Sequence, residues 1–375
     1  MSFKTRPSIS SLGSSLLLSF ILAASLTACK VPGEGAEGGA SASGGGSSSG
    51  TSTSVLPGVT LPSASPSPSP SPSPSPSPSA SPSPSPSPSP SPAPTNYSAA
   101  CGIPANPSTG VLDRTITVQG TNRQYLLSVP ANYSPNTQYR LVFGFHGFSW
   151  SRDTFRNNFG NEQHATVPTI FVYPQGLNVN VGGMTSYGWD LASNSRDFPF
   201  FDDLYTYVGQ TYCINRDQVF VHGNSMGGFF SNHLACYRNS VIRAIATTSA
   251  GNPSVGCNVT MPVWASHSVD DTTVCYYNQP PAGGPAIPGA CNNASSVTAW
   301  GLDNFNHWIA QNGCNSSTFT DVSPAGTAAN TCRRFATNCS TRPVVRCLMN
   351  TGGHWPPSYA PREISLFFDG IASGQ

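Results

Sequence analysis

Val219-Phe220-Val221-His222-Gly223-Asn224-Ser225-Met226-Gly227-Gly228-Phe229-Phe230 runs from an apolar strand through a tight turn into a helix. Val219 to His222 reads as a buried strand, and Ser225 to Tyr237 reads as helical. Between them, Gly223-Asn224-Ser225-Met226-Gly227 fits the spacing G-x-S-x-G. That spacing is weak by itself in a Gly-rich chain. Its context is specific, because a strand before and a helix after are what a nucleophile elbow requires. The flanking glycines let the turn close, so the serine hydroxyl projects above the sheet.

Working outward, the chain from Cys101 onward alternates β-rich apolar runs with helical stretches, which predicts an α/β sheet. Thr115 to Gln119 and Tyr125 to Val129 read as an antiparallel pair around Gly120-Thr121-Asn122. Leu141 to Phe145, Thr169 to Tyr173, Val219 to His222, Ile242 to Thr248 and Val263 to His267 read as central strands. Asp202 to Tyr212 is expected to be a helix with an acidic first turn. Ser296 to Gln311 is expected to be another, with Ser295 or Ser296 as cap. A last helix near Arg362 to Ile371 would turn Ile364, Phe367, Phe368 and Ile371 inward.

A serine nucleophile needs a base, and the base needs a carboxylate to orient it. In chains of this kind the order is Ser, then acid, then His. Past Ser225 and any plausible acid lie His307 and His354. His307 falls mid-helix, where packing or surface roles belong. His354, in Thr351-Gly352-Gly353-His354-Trp355-Pro356-Pro357, falls in a loop before the last helix and is the expected base. For the acid, Asp270 and Asp271 both follow the strand Val263 to His267, and spacing does not choose between them. His267 precedes the acid and is expected to make structural hydrogen bonds. Two backbone donors are needed for the oxyanion: the amide of Met226, and that of Phe148 in Gly144-Phe145-His146-Gly147-Phe148. His146 is read as structural.

Lys4 and Arg6 precede the short apolar run Leu16 to Leu22, too short for a membrane-spanning helix of about 20 residues and suited to an export signal. Leu26-Thr27-Ala28-Cys29 is similar to a bacterial lipobox, which implies cleavage before Cys29 and lipid on its thiol. With Cys29 set aside, ten of the 11 cysteines remain, enough for up to five disulfides. Spacing does not give their connectivity; Cys275 with Cys291 would close a short loop. There is no C-x-x-C, and no Cys/His spacing suggests zinc.

Residues 31–60 are rich in Gly and Ser, and Ser65 to Pro92 alternates Ser and Pro, with one break at Ala80. The alternating stretch is expected to extend as polyproline II, spanning roughly 90 Å at ~3.1 Å per residue. The expected organisation is a signal at 1–28, a lipid-anchored disordered linker at 29–99 and one domain at 100–375. That domain carries 14 Arg, no Lys and 14 acidic residues, so no basic surplus exists for nucleic acid. Nothing recurs at a period that would suggest a solenoid.

Together these pieces resemble the feruloyl esterase and polyhydroxybutyrate depolymerase group of α/β-hydrolases, often grouped with carbohydrate esterase family 1. The landmarks are His146-Gly147, Tyr173-Pro174-Gln175-Gly176, Gly188-Trp189-Asp190, Asp202-Asp203 opening a helix, and Tyr212-Cys213-Ile214-Asn215-Arg216. His267-Ser268-Val269-Asp270-Asp271-Thr272-Thr273-Val274 looks like the family's His-Gly-Thr-x-Asp-x-x-Val, which puts its acid on Asp271. Gly353-His354-Trp355-Pro356 matches Gly-His-x-Trp-Pro, shortened by one residue. Ser268, where the family usually has Gly, is a second departure.

The resemblance implies an α/β-hydrolase fold and acyl transfer through Ser225, His354 and Asp271, with no metal or organic cofactor. Trp150, Trp189 and Trp355 are candidates to stack on an aromatic acyl group. The expected substrate is a feruloyl ester on plant cell-wall polysaccharide, acted on by an exported, membrane-anchored lipoprotein facing the periplasm or the exterior. The alternatives are a polyhydroxyalkanoate depolymerase, an acetylxylan esterase, or a non-catalytic binding lipoprotein.

Overall fold

The computed structural model describes residues 96–253, 256–276, 300–322, 330–339 and 341–374. The signal, Cys29, the Ser-Pro tether, the cap at Ser295 or Ser296, and Cys291 all lie outside them.

Apolar runs with β-branched and aromatic residues form the centre of a sheet, and turn residues punctuate them. In chain order the strands are β1 (Gly110–Val118), β2 (Thr121–Val129), β3 (Tyr139–Phe145), β4 (Thr169–Pro174), β5 (Leu177–Val181), β6 (Met184–Gly188), β7 (Ile214–Asn224), β8 (Ala244–Thr248), β9 (Val263–Ser268), β10 (Thr320–Asp321), β11 (Asn330–Phe335) and β12 (Val344–Met349). The helices are α1 (Arg152–Phe159), α2 (Phe198–Thr211), α3 (Met226–Tyr237), α4 (Trp300–Gln311) and α5 (Ala360–Ala372). Among the described residues one sheet has the order β1-β2-β4-β3-β7-β8-β9-β12-β11-β10, and β5 pairs with β6 as a separate hairpin. The strands from β4 to β12 in that order run parallel, with antiparallel strands added at both edges.

Both faces of the parallel strands are covered, which is why they read as continuous apolar runs. Leu141, Phe143, Val219 and Val221 face one core with Leu204 of α2, Phe230 and Leu234 of α3 and Trp308 of α4. Val142, Phe220 and Trp264 face the other, with Phe155 of α1 and Ile364 and Phe368 of α5. Alternate residues of one strand thus feed two cores.

Two expectations change, and one strand is new. The helix expected from Asp202 begins at Phe198 and has no acidic residue in its first turn. Pro199 suits a first helical turn, and Phe198, Phe200, Phe201 and Leu204 anchor the helix by burial. Asp202 lies within the helix and pairs through both oxygens with Arg238, at 2.6 and 2.7 Å. Residues 96–99, expected in the linker, are packed on the domain: Tyr97 bridges to Asn215, and the Ser98 amide donates to the Ile214 carbonyl at 2.9 Å. Strand β12 was not anticipated, and it proves central to the site.

Disulfides join Cys101 to Cys213, Cys236 to Cys257, Cys314 to Cys339 and Cys332 to Cys347. Such bonds suit an oxidising compartment outside the cytoplasm. No helix among the described residues is long and apolar enough to cross a membrane.

Candidate active site

Ser225 stands between β7 and α3 with φ at +53° and ψ at −124°. Such a backbone costs a non-glycine residue of order 1–3 kcal/mol and persists only where its surroundings enforce it. Here its amide donates to the Thr248 carbonyl at 2.9 Å, tying the turn to β8. Gly227 allows the turn to pack on β3, because a Cβ there would run into the Phe145 carbonyl. The helix N-terminus therefore sits close above the sheet, with the serine at the junction.

Strands β9 and β12 are parallel neighbours, and the loops leaving their C-terminal ends carry Asp271 and His354. The Val269 amide donates to the Met349 carbonyl at 2.9 Å and holds the two loops together. His354 Nδ1 lies 2.8 Å from Asp271 Oδ2, and His354 Nε2 lies 2.8 Å from Ser225 Oγ. A carboxylate only accepts, so Nδ1 carries the ring proton and Nε2 accepts from the hydroxyl. The structure brings these three residues together, although 129 positions separate Ser225 from His354.

Asp271 is buried, at 1% exposure. Its Oδ1 accepts from the amides of Thr273 and Val274, at 2.8 and 2.9 Å. Burial works against its charge, but hydrogen bonds from His267 and His354 outweigh it and hold the carboxyl below its ordinary range. His267 Nε2 stands 3.3 Å from Asp271 Oδ2 and 2.6 Å from the Val274 carbonyl, which is a structural position.

Asp270 does something different. Its Oδ1 accepts from the Gly353 amide at 2.8 Å and from Ser268 Oγ at 2.5 Å, and Oδ2 is 3.4 Å from the Gly352 amide. Gly353 has φ at +58°, a conformation that glycine adopts without strain. Ser268 and Asp270 thus clamp the turn that presents His354. Sequence reasoning weighed Asp270 only as a rival acid, since nothing in its spacing shows which loop it faces.

Opposite this, the loop after β3 lies directly over the serine: a Cβ on Gly147 would be 3.4 Å from Ser225 Cβ. His146 anchors it. Its Nε2 accepts from the Gly176 amide at 2.9 Å and Gln175 Nε2 at 3.0 Å, so Nδ1 carries the proton and donates to the Gly147 carbonyl at 2.8 Å. Burial pushes this imidazole down to about 4, which keeps it neutral. The Phe148 amide makes no hydrogen bond among the described residues. Met226 opens α3, where the first amides have no partner within the helix. The Met226 sulfur and the Phe148 ring both pack against Gly188.

Of the three tryptophans, Trp189 is buried at 1% exposure, and its Nε1 donates to the His146 carbonyl at 2.8 Å. Its ring packs against Phe145 and Phe230, so it supports the loop from beneath and has no face for a ligand. Trp150 and Trp355 stack on one another at 5.4 Å, and Trp355 is the chain neighbour of His354. Among the described residues no cluster of three or more His, Cys, Asp or Glu could hold a metal ion.

A mainly parallel sheet clad by helices on both faces, with a serine at the strand–helix turn, defines an α/β-hydrolase. No protein-family model matches the chain. Among known proteins, a probable feruloyl esterase C from Aspergillus terreus is 30% identical over 267 residues, covering 68% of this chain and 83% of that protein. Feruloyl esterase C from Emericella nidulans is 28% identical with the same coverage, 68% and 83%. Among solved structures, acetyl xylan esterase from Aspergillus awamori has 12% identity and a TM-score of 0.48, covering 68% of this chain and 98% of that one. The chain belongs to the feruloyl esterase family and is a carboxylic ester hydrolase.

Proposed function

We propose that this protein releases ferulate from feruloyl esters of plant cell-wall polysaccharide, through an acyl-enzyme on Ser225. The observation that carries the reading is the hydrogen-bonded series from Asp271 through His354 to Ser225. Ser225 Oγ attacks the ester carbonyl as His354 Nε2 takes its proton, and Asp271 stabilises the imidazolium. The amides of Met226 and Phe148 stabilise the tetrahedral oxyanion. His354 returns the proton to the leaving alcohol, and water then repeats the sequence to free the acid. The feruloyl group is supported by family membership.

Methyl ferulate and a feruloylated xylo-oligosaccharide test this directly. Ferulate release, abolished in Ser225→Ala, is the expected result. Acetate release from acetylated xylan with no ferulate from either ester would transfer the reading to acetylxylan.

The lipobox and the Ser-Pro tether support display of the domain at a membrane surface, at reach of a polymer too large to diffuse. Labelled palmitate should enter the wild-type chain and be lost in Cys29→Ser. Equal labelling of both would remove the anchor.

A further inference from the structure

Trp355 is the most exposed large apolar side chain among the described residues, at 60%. An indole in water forgoes much of the burial that such a ring normally gains. The ring is nevertheless held firmly. It stacks on Trp150 with the planes 28° apart, and Trp150 stacks on Phe159 at 5.2 Å and 6°. Phe159 in turn lies 6.0 Å from the buried Phe155. Phe159 also lies 6.4 Å from Trp355, so the three rings form a compact cluster that reaches from the buried Phe155 to the surface and presents one exposed indole. The Trp355 amide donates to the Gly352 carbonyl at 3.4 Å, and Pro356 and Pro357 stiffen the chain beyond it.

The loop that carries this exposed ring also carries the expected base. Trp355 directly follows His354, so their Cα atoms are ~3.8 Å apart. Under the mechanism proposed above, the acyl oxygen points to the amides of Met226 and Phe148. The leaving oxygen must instead come within about 3 Å of His354 Nε2 to receive its proton. The alcohol half of the ester is thus on the side of the loop from Gly352 to Pro357, which carries both His354 and the exposed indole. The cluster carries no charge, and its exposed member is flat and apolar. That suits a neutral sugar ring, which presents an apolar C–H face and keeps its hydroxyls at the rim in water.

We propose that Trp355, backed by Trp150 and Phe159, is the platform for the sugar ring of the leaving alcohol, and that it sets a preference for glycosyl esters over simple alkyl esters. The inference rests on the acyl-enzyme reading of Ser225 and His354. It reassigns the two accessible tryptophans from the acyl group to the alcohol.

The test is the ratio of kcat/KM for a feruloylated xylo-oligosaccharide to that for methyl ferulate, measured in the full chain and in Trp355→Ala and Trp355→Phe. Any general loss of activity cancels in this ratio. A fall of about tenfold in the alanine variant, largely restored by phenylalanine, is expected for one lost ring contact. An unchanged ratio overturns the platform, whether activity is retained or reduced equally on both substrates, and so does a rise. The same pair built with acetyl in place of feruloyl should show the same fall, because the acyl group is not what the ring touches. If the wild type releases acetate but no ferulate, the feruloyl reading fails, and the acetyl pair still decides the platform.

Discussion

Asp271 accepts from two backbone amides and two imidazoles, and this set of donors lets a carboxylate stay ionised in a buried position. Asp271→Asn would present an amide where His354 needs an acceptor and would disturb the ring's tautomer. A fall in kcat of about 10⁴-fold is expected, with the fold intact by circular dichroism. Asp270→Asn should act more mildly, since it weakens the hold on the Gly352-Gly353 turn and leaves the Asp271 bond in place. A loss of about tenfold, in kcat more than in KM, would fit positioning; a change in KM alone would not. At this scale Ser225 and His354 were legible in turn chemistry and chain order, whereas Asp271 was separated from Asp270 only by the family resemblance. The clamp by Asp270 was not, because its partners are backbone amides 82 and 83 positions away. Trp189 was misread because an aromatic residue beside a family landmark carries no mark of which way its ring turns.

Among elements, β12 matters most for the site, because its C-terminal end leads into the loop that carries His354. It was not legible for a physical reason. Arg346 interrupts the apolar run Val344 to Met349, and its guanidinium spreads over the Phe335 ring at 5.3 Å. A charge that normally argues against a buried strand is here accommodated by an aromatic face. The hairpin of β5 and β6 was missed as well, since Leu177 to Gly188 has few buried residues to set a period. The central strands, by contrast, have both faces buried and could be read from their apolar runs. Cys332 and Cys347 are directly opposed on β11 and β12 and close a span of 15 residues. The double change Cys332→Ser and Cys347→Ser should reduce unfolding free energy by about 3 kcal/mol in a denaturant titration. It should also lower kcat by loosening the strand beneath His354, and full activity at wild-type stability would contradict that link.

For the whole molecule, the buried histidines set an acid limit. Burial pushes His146 to about 4, His222 to about 3 and His233 to about 4, from an ordinary 6.5. Below about 6.5 the unfolded chain takes up these protons, while the folded chain refuses them until about pH 4. The unfolded state then binds more protons, so stability falls as pH drops through that window. Each histidine adds up to about 1.4 kcal/mol per pH unit, and none adds a slope well above pH 6.5. The urea midpoint at pH 5 should therefore lie clearly below that at pH 7; equal midpoints would contradict burial of neutral imidazoles. The neutral charge balance and export-type cysteines of the domain were visible in composition, whereas the pairing of those cysteines required the fold.

The most direct measurement is peptide mass mapping after treatment with a fluorophosphonate, in the wild type and in His354→Ala. A single adduct on Ser225, with its rate reduced by about 10³-fold or more in the variant, is expected for a serine activated by that imidazole. An adduct on another residue, or labelling of Ser225 at an unchanged rate in His354→Ala, would contradict it.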